Sequence, residues 1–246
     1  MLRPRIGEAG WASEHRSPDV ERAGLYRAIF ERRDIRSQFL PTPIAPSVLR
    51  QILHAAHHAG SVGFMQPWNF LLIHSSETKQ AGKQLFEAAN AAAAVVYEGL
   101  PRTTYGRLKL EAILEAPINL CVTCDPARGG PHVLGRHTVK ETDIYSTCCA
   151  IQNLWLAARA EGEGIGWVSI LEYAALKHLL EIPDNIIVVA YLSLGHVSSF
   201  PPRPDLERAR WRQRLPLDEV VCYERWGLRE APQWTELRDL IRRQTP

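Results

Sequence analysis

An arginine cluster with an embedded carboxylate is the first feature of this sequence that could do chemistry. Arg32, Arg33 and Arg36 stand within five positions, with Asp34 between them and Ser37 just beyond. Guanidinium groups present planar sets of donors that fit phosphate oxygens, so the cluster could bind a phosphate dianion. A solvated basic surface is the alternative, in which Asp34 would only balance charge. In a pocket, Asp34 would be a carboxylate beside a bound ligand, able to accept or pass a proton.

The segment 60–69 is a second candidate. It combines small residues with Met65, Gln66, Trp68 and Asn69, and its Gly and Pro content predicts a loop. Amide side chains donate and accept hydrogen bonds at once, which suits the mixed polar edge of a flavin. Simple core packing of a Pro–Trp turn remains the alternative.

The stretch from Gly164 to Ser169 reads Gly-Ile-Gly-Trp-Val-Ser. Glycines let backbone amides approach a ligand closely, and the Ser169 hydroxyl could hydrogen-bond near a reacting atom. No Gly-x-Ser-x-Gly surrounds Ser169, so we do not expect a hydrolase nucleophile. Arg203, in a Pro-Pro-Arg-Pro run, presents one further guanidinium that could reach a phosphate.

Histidines and cysteines give little indication of a metal site. His54, His57 and His58 have no carboxylate or cysteine nearby in the sequence, which favours helix surface or packing. Cys121 and Cys124 form a C-x-x-C inside a predicted strand, where positions three apart face opposite sides of the sheet. We therefore expect both to be buried small hydrophobes, and the odd total of five cysteines argues against a disulfide framework.

Composition points to an ordinary globular protein. Hydrophobic residues make up 46% and charged residues 23%, and a net charge of +2 is too small to indicate nucleic-acid or membrane binding. No run approaches the roughly 18 apolar residues of a membrane span. Basic residues at the start are not followed by an apolar stretch, so no secretory signal is visible. We expect a cytoplasmic protein without nucleic-acid or membrane partners.

Helical and extended patterns alternate along the chain. Two helices precede the first strand and no Gly-x-Gly-x-x-Gly is present, which is unlike a Rossmann fold. The pattern predicts an α+β or α/β sheet, with residues 1–18 as a flexible N-terminal arm and 19–246 as a single domain with an extended C-terminal tail. The first predicted helix starts at Pro18 or Asp19, runs into 31–36 and stops before Pro41, and the second starts at Pro46. Others cover 78–98, 104–115, 143–160, 173–181 and 234–243. Predicted strands cover 70–74, 118–123, 167–170 and 186–194, and 126–140 is a long loop.

Together these segments resemble the nitroreductase family over about residues 20–205. The family pattern Arg-Arg-Ser-x-Arg resembles 32–36, its Ser-x-x-Asn-x-Gln-Pro-Trp loop resembles 61–68, and its buried helix with a glycine-rich exit resembles 151–167. The resemblance implies a three-layer α-β-α fold with a central, mostly antiparallel sheet. It also implies an intertwined homodimer whose FMN sites lie at the subunit interface.

Two departures from the family pattern are informative: Asp34 replaces a serine, and Phe64 replaces the asparagine of the loop. Both are similar to one branch of the family, which usually has proline where Gly60 stands here. That branch uses O2 to fragment reduced FMN into 5,6-dimethylbenzimidazole, the lower ligand of vitamin B12, and a four-carbon sugar phosphate. The resemblance further implies that a separate NAD(P)H-dependent flavin reductase supplies the reduced FMN.

The resemblance also implies roles for individual residues. Asp34 and Ser169 correspond to the catalytic pair, with Asp34 as base or proton shuttle and Ser169 orienting the flavin or bound oxygen. The arginines would lie near the ribityl phosphate, and Lys109 is a candidate for the lid. The residues expected to line the flavin are Arg32, Arg33, Asp34, Ile35, Arg36, Ser61, Met65, Gln66, Asn69, Lys109, Gly166, Trp167, Val168, Ser169 and Arg203.

Two other functions stay open at this point. An NAD(P)H-dependent nitroreductase or dehalogenase-like reductase would keep its FMN over many turnovers. A flavin carrier without catalysis would only allow bound reduced FMN to reoxidise in air.

Overall fold

The structure is a computed structural model that describes residues 15–244. Residues 1–14 of the predicted arm, and residues 245–246, lie outside the described residues. Contacts divide the chain into two compact units, Met1–Pro202 and Arg203–Pro246. The single domain expected over 19–246, with its tail, stays a prediction.

The sheet of the first unit has four strands. The strands are β1 (Trp68–Ile73), β2 (Ile118–Cys124), β3 (Glu163–Val168) and β4 (Ile187–His196). Their order is β1-β2-β4-β3, and every neighbouring pair is antiparallel. The structure thus confirms the mostly antiparallel sheet, and β2 and β4 occupy its centre.

Most helices begin and end close to the predicted positions. The first helix is an exception, because it ends at Glu31 and the following residues instead pair with the edge of the sheet. The region 104–115 is the other exception. Pro46 stands at the first turn of its helix, where its missing N–H costs nothing. In the first unit the helices are α1 (Asp19–Glu31), α2 (Pro46–His57), α3 (Ser76–Ala94), α4 (Gly99–Tyr105), α5 (Thr142–Ala160) and α6 (Tyr173–Leu179). The second unit contains α7 (Asp205–Arg208), α8 (Leu217–Val220) and α9 (Thr235–Gln244), and short 3-10 turns cover Val62–Phe64 and Pro232–Trp234.

Helices cover both faces of the sheet, which confirms the three-layer fold. On one face, buried residues of α2 and α5, such as Ile52 and Leu154, pack with Leu120 and Val122 of β2. On the other face, Cys121 of β2 packs with residues of α3 and α6. Consecutive residues of a strand point to opposite faces, so β2 contributes to both cores.

The two cysteines of the C-x-x-C motif are both buried, as expected. Cys121 packs in the core beneath α3 and α6, and this burial raises the pKa of its thiol to about 12. Cys124 instead lies beside Thr147 of α5, on the opposite side of the sheet. By contrast, Cys148 and Cys149 of α5 are exposed.

The helix predicted over 104–115 is wrong for most of its length, because α4 ends at Tyr105. The cause is the carboxylate of Glu111, whose side chain is only 3% exposed. It accepts hydrogen bonds from Lys83 Nζ at 2.9 Å, Lys109 Nζ at 2.7 Å and the Ile113 amide at 2.8 Å. A side chain that binds the amide two residues on replaces helical backbone bonding.

Helix α1 leaves its apolar side chains uncovered. Val20 is 78% exposed and Phe30 is 71% exposed, and Tyr26 stacks on Phe30 with ring centroids 5.8 Å apart. Ala28 is the one buried residue of this helix. Contiguous exposed apolar side chains of this kind are typical of an interaction surface.

Within residues 15–244, the longest apolar helical stretches fall short of what a bilayer crossing requires. The same residues contain no group of three or more His, Cys, Asp or Glu side chains that could hold a metal ion.

Candidate active site

The segment after α1 lies against the edge of the sheet. The Ile35 amide donates to the Ile165 carbonyl at 2.9 Å, and Asp34 pairs with Ile165 in an isolated parallel bridge. Ile35 is fully buried and anchors the segment. This short pairing places Asp34 beside β3, although the strand lies far away in the sequence.

The carboxylate of Asp34 is held by one guanidinium and one backbone amide. Arg36 binds both oxygens, with Nη1 at 2.7 Å from Oδ1 and Nη2 at 2.7 Å from Oδ2. The amide of Trp167 donates to Oδ1 at 2.8 Å. Oδ1 therefore accepts two hydrogen bonds and Oδ2 one, which leaves Oδ2 with more capacity to accept a proton.

Arg36 is buried, with 8% exposure, and both of its terminal nitrogens also donate to backbone carbonyls. Nη2 donates to the Trp167 carbonyl at 2.6 Å and Nη1 to the Ile35 carbonyl at 3.0 Å. A buried guanidinium with paired donors is a fixed structural group. Arg36 therefore orients Asp34, and its predicted contact with a ligand phosphate stays a prediction.

Asp34 combines accessibility with a perturbed pKa. Its side chain is 48% exposed, so a ligand can reach it. Desolvation by the surrounding protein raises the pKa of Asp34 above its ordinary value of 3.8, while Arg36 and the Trp167 amide act in the opposite direction. An accessible carboxylate with a raised pKa is a candidate for proton transfer.

The glycines of β3 make room for the chain itself. A Cβ atom at Gly166 would collide with the Ile35 carbonyl oxygen and with Arg36 Nη1. At Gly164 it would collide with Val197 and press on Ile35. The sequence pattern suggested that these glycines let a ligand approach, but in the structure they admit the segment that carries Asp34.

The other two arginines differ in their surroundings. Arg33 donates to the carbonyls of Phe30 at 2.8 Å, Arg32 at 2.7 Å and Pro202 at 2.6 Å. Its Nε is buried without a hydrogen-bond partner in the described part of the chain. Arg32 lies over the Trp155 ring, 4.8 Å from the centroid. Arg33 thus fastens the end of α1, and Arg32 places a second positive charge near Asp34.

The end of β3 supplies the second catalytic candidate. Val168 is the last residue of the strand and is buried, and Ser169 follows it in an exposed position. The Trp167 ring lies 6.4 Å from that of Trp155, between centroids. The backbone amide of Trp167 binds Asp34, and Ser169 follows Trp167 by two residues. The side chains of Asp34 and Ser169 are both exposed to solvent.

The loop 61–69 has a tightly folded backbone. Val62–Phe64 forms a 3-10 turn, and Phe64 and Gln66 have positive φ angles of 55° and 48°. The Ser61 hydroxyl accepts from the Gln66 amide at 3.1 Å, so this expected flavin contact also serves the loop. Met65 is buried, whereas Phe64 is 80% exposed.

Arg128 is a residue of this region that sequence analysis missed. Its guanidinium donates to the carbonyls of Gln66 and Trp68, both at 2.8 Å, and to Asn69 Oδ1 at 2.5 Å. Arg128 stands about sixty positions away, in the loop after β2, and it occurs in no motif. Only the antiparallel pairing of β1 with β2 brings it here, so the sequence carried no signal for it.

Several expected residues are not brought together within the described chain. No hydrogen bond among residues 15–244 joins the loop 61–69 to Asp34 or Ser169. Lys109 is bound to Glu111 at 2.7 Å and to Glu115 at 2.6 Å. Arg203 is exposed at the start of the second unit. The roles of Lys109 and Arg203 at a flavin stay predictions.

Sequence comparison gives close relatives for most of the chain. A profile of the Nitroreductase family matches residues 29–196. A protein of Rhodospirillum rubrum named 5,6-dimethylbenzimidazole synthase is 40% identical over 190 residues, which are 77% of this chain and 90% of the relative. One of the same name from Rhodobacter capsulatus is 38% identical over 201 residues, 81% of this chain and 96% of the relative.

Structural comparison finds the same fold. Iodotyrosine deiodinase, solved with FMN and 3-iodo-L-tyrosine, superposes with a TM-score of 0.65 at 19% identity, over 82% of this chain and all of that one. A nitroreductase of Desulfitobacterium hafniense with bound FMN gives 0.56 at 19% identity, over 82% of this chain and 98% of the other.

Proposed function

Because the chain belongs to the nitroreductase family, we propose that it is a 5,6-dimethylbenzimidazole synthase that fragments reduced FMN with O2. The other products would be a four-carbon sugar phosphate, from the rest of the ribityl chain, and the oxidised pyrimidine part of the flavin ring. The single observation that carries this proposal is Asp34, an accessible carboxylate held at the sheet edge where the family pattern has a serine. The names of the relatives support the same reaction.

The donor set around Asp34 suits a phosphorylated flavin. Arg32 supplies positive charge beside Asp34, and the guanidinium of the adjacent Arg33 lies at the end of α1. A phosphate dianion is bound best by such clustered guanidinium groups. Ser169 adds a neutral hydroxyl that can donate to or accept from the isoalloxazine. We assign the phosphate to the arginines and the ring system to the Asp34–Ser169 side.

Reduced FMN, when bound, supplies the electrons that activate O2 and the carbon atoms of the benzimidazole. Asp34 Oδ2 is the oxygen we assign to proton transfer at the ribityl chain and ring nitrogens, because it accepts only one hydrogen bond within the chain. Arg36 and the Trp167 amide keep the carboxylate plane fixed during that transfer. Ser169 orients the substrate, and exclusion of water protects the reacting centre.

A complete site requires a second copy of the chain. The loop 61–69 and the Asp34 region share no hydrogen bond within residues 15–244, yet the family pattern uses both for one flavin. Helix α1 also keeps an uncovered apolar face. We therefore propose a homodimer in which each flavin is bound by Asp34 and Ser169 of one subunit and by the loop of the other.

One experiment tests the reaction. The protein is mixed without oxygen with chemically reduced FMN, air is admitted, and 5,6-dimethylbenzimidazole is measured by chromatography. We expect the benzimidazole in the presence of protein and none with FMN alone in air. Recovery of intact oxidised FMN would instead indicate a flavin carrier. Repeated NADH oxidation with a nitroaromatic acceptor and intact flavin would indicate a nitroreductase.

The source of the reduced FMN can be tested in the same assay. The resemblance to the branch that fragments flavin implies a separate source of reduced FMN, so we propose that a separate flavin reductase reduces FMN at the expense of NAD(P)H. NADH and FMN alone should give no benzimidazole, and addition of a flavin reductase should restore it. Equal product without the reductase would refute this dependence.

A further inference from the structure

We propose that Arg128 is a positioning residue that sets the conformation of the loop 61–69. The relevance to flavin rests on the proposed function, because that loop is assigned to the flavin of the partner subunit. The conformational effect of Arg128 does not depend on that assignment and can be measured in the protein without ligand.

One guanidinium binds three acceptors at nearly consecutive positions. Nη1 reaches the carbonyl oxygens of Gln66 and Trp68, and Nη2 reaches the side-chain oxygen of Asn69. A planar fork of donors can hold several acceptors in a fixed relative orientation. Arg128 therefore fixes the peptide planes where the loop passes into β1.

Both polar atoms of the Asn69 side-chain amide have hydrogen-bond partners within the chain. Its Oδ1 accepts from Arg128, and its Nδ2 donates to Thr123 Oγ1 at 3.2 Å. These two bonds fix the orientation of the amide. Asn69 thus acts with Arg128 as an anchor of the loop, which leaves Gln66 as the loop amide available to a ligand.

The loop needs such an anchor because its backbone is strained. Phe64 and Gln66 have the left-handed φ angles of 55° and 48°, which side chains other than glycine rarely adopt. The Ser61 hydroxyl holds the Gln66 amide from one side, and Arg128 holds the Gln66 carbonyl from the other. Hydrogen bonds to the amide and to the carbonyl of Gln66 together keep its backbone in the left-handed region.

The segment that carries Arg128 is itself fastened to the loop. The Asp125 amide donates to the Pro67 carbonyl at 2.7 Å, and Asp125 Oδ1 accepts from the Ala127 amide at 2.9 Å. Asp125 Oδ2 lies 3.9 Å from Arg128 Nε, too far for a hydrogen bond but close enough to favour the positive charge. The guanidinium is therefore held in position before any ligand binds.

Lysine cannot replace this arrangement fully. An ammonium group is a single point of charge on a flexible stem, whereas the three acceptors of Arg128 need two separate nitrogen atoms. We expect the loop to be most ordered with Arg128, less ordered in Arg128→Lys, and least ordered in Arg128→Met. This order separates a role in hydrogen bonding from a role of charge alone.

Hydrogen exchange of the ligand-free protein, followed by mass spectrometry, tests the proposal directly. The amides of Phe64, Met65 and Gln66 are hydrogen-bonded to Ser61 O, Val62 O and Ser61 Oγ, so their exchange reports on this loop. In Arg128→Met we expect these amides to exchange on the order of tenfold faster, with the strands unchanged. Arg50→Met, at an exposed position of α2, is the matched control and should behave as wild type.

Binding of FMN provides the second measurement. Arg128→Met and Arg128→Ala should bind FMN about tenfold more weakly, and guanidinium chloride at a non-denaturing concentration should restore binding in the alanine variant only. Wild-type exchange in the loop of Arg128→Met, or an increase spread evenly over the sheet, would overturn the proposal. If Arg128→Met unfolds, Arg128→Lys is judged by the same criteria. Failure of the wild type to bind FMN would refute the proposed function, while the exchange data would still decide the role of Arg128.

Discussion

The carboxylate of Asp34 is fixed in orientation by its own chain and remains accessible. Arg36 binds both of its oxygens, and the Trp167 amide binds one, while nearly half of the side chain is open to solvent. Protonation at Oδ2 would weaken one bond to Arg36, so the proton affinity depends on the balance between desolvation and that ion pair.

Asp34→Asn should keep reduced FMN bound but lower formation of the benzimidazole by about 10²–10⁴-fold, the usual contribution of a positioned acid or base. An amide keeps the shape of the carboxylate but cannot accept a proton at this position. The measurement is product by chromatography, with flavin binding followed separately. Asp19→Asn, at an exposed position of α1, is the control. A normal rate of product in Asp34→Asn would refute the assignment.

The activity of the wild type should fall in acid. Asp34 must be ionised to accept a proton, and its pKa is raised above 3.8 by desolvation. Activity therefore rises with pH through a midpoint above 3.8 and is lost as pH falls through it. A pH profile of product formation checks this, and the residual activity of Asp34→Asn should lack that dependence. If Asp34→Asn lost activity in acid in the same way, the loss would be due to the titration of another group.

Ser169→Gly should retain flavin binding and lose the product. Ser169 is exposed just beyond β3, so removal of its hydroxyl should change stability by no more than about 0.5 kcal/mol. Thermal unfolding and FMN titration establish that the variant is intact, and chromatography measures the benzimidazole. Full activity would remove Ser169 from the mechanism.

At the scale of elements, the site depends on how closely the segment 34–36 approaches β3. Gly166 leaves room for the Ile35 carbonyl and the Arg36 guanidinium, and Gly164 leaves room for the Ile35 side chain. Strand β3 thus has glycine at the two positions, 164 and 166, where the segment 34–36 packs against it.

Gly166→Ala should therefore lower the free energy of unfolding by about 1–3 kcal/mol, as overpacking usually does. The added methyl group would push Arg36 away from Asp34, so product formation should fall as well. Denaturant unfolding measures the first effect. Gly24→Ala, on α1 with open space around it, is the control and should be neutral or stabilise the helix by up to about 1 kcal/mol. Equal stability of wild type and Gly166→Ala would contradict the packing argument.

The sequence predicted most elements because their patterns are local. The apolar run 118–123 became β2, Pro46 marked the start of α2, and the mostly apolar run 143–160, followed by glycines, marked α5. The region 104–115 was misjudged because Glu111 turns inward to two lysines, a contact that periodicity does not encode. Arg128 and the inward orientation of Arg36 depend on pairing between distant segments, and for that reason they were not foreseen.

At the scale of the whole molecule, the first unit has features of an incomplete assembly. Apolar residues of α1 remain exposed, and the loop 61–69 is not bonded to the Asp34 region within the described chain. A symmetric dimer would cover such a surface and bring each loop to the opposite site. Light scattering should give a mass of about twice 27.8 kDa.

Mixed dimers test whether the two subunits share each site. Asp34→Asn and Gln66→Ala should each be inactive alone. When the two are refolded together, half of the dimers are mixed, and each mixed dimer has one intact site, so about a quarter of wild-type activity should return. No recovery from a verified mixed dimer would place both residues in the same subunit's site.

The bond between Asp34 and the Trp167 amide joins residues 133 positions apart. On the ribosome, the carboxylate is made long before the strand that will hold it, and β3 itself pairs with β4, which is made later still. Closing so long a stretch of chain is entropically costly and slow compared with local helix formation. The chemical centre should therefore be among the last parts to assemble, so nascent or refolding chains acquire helices first and flavin chemistry last.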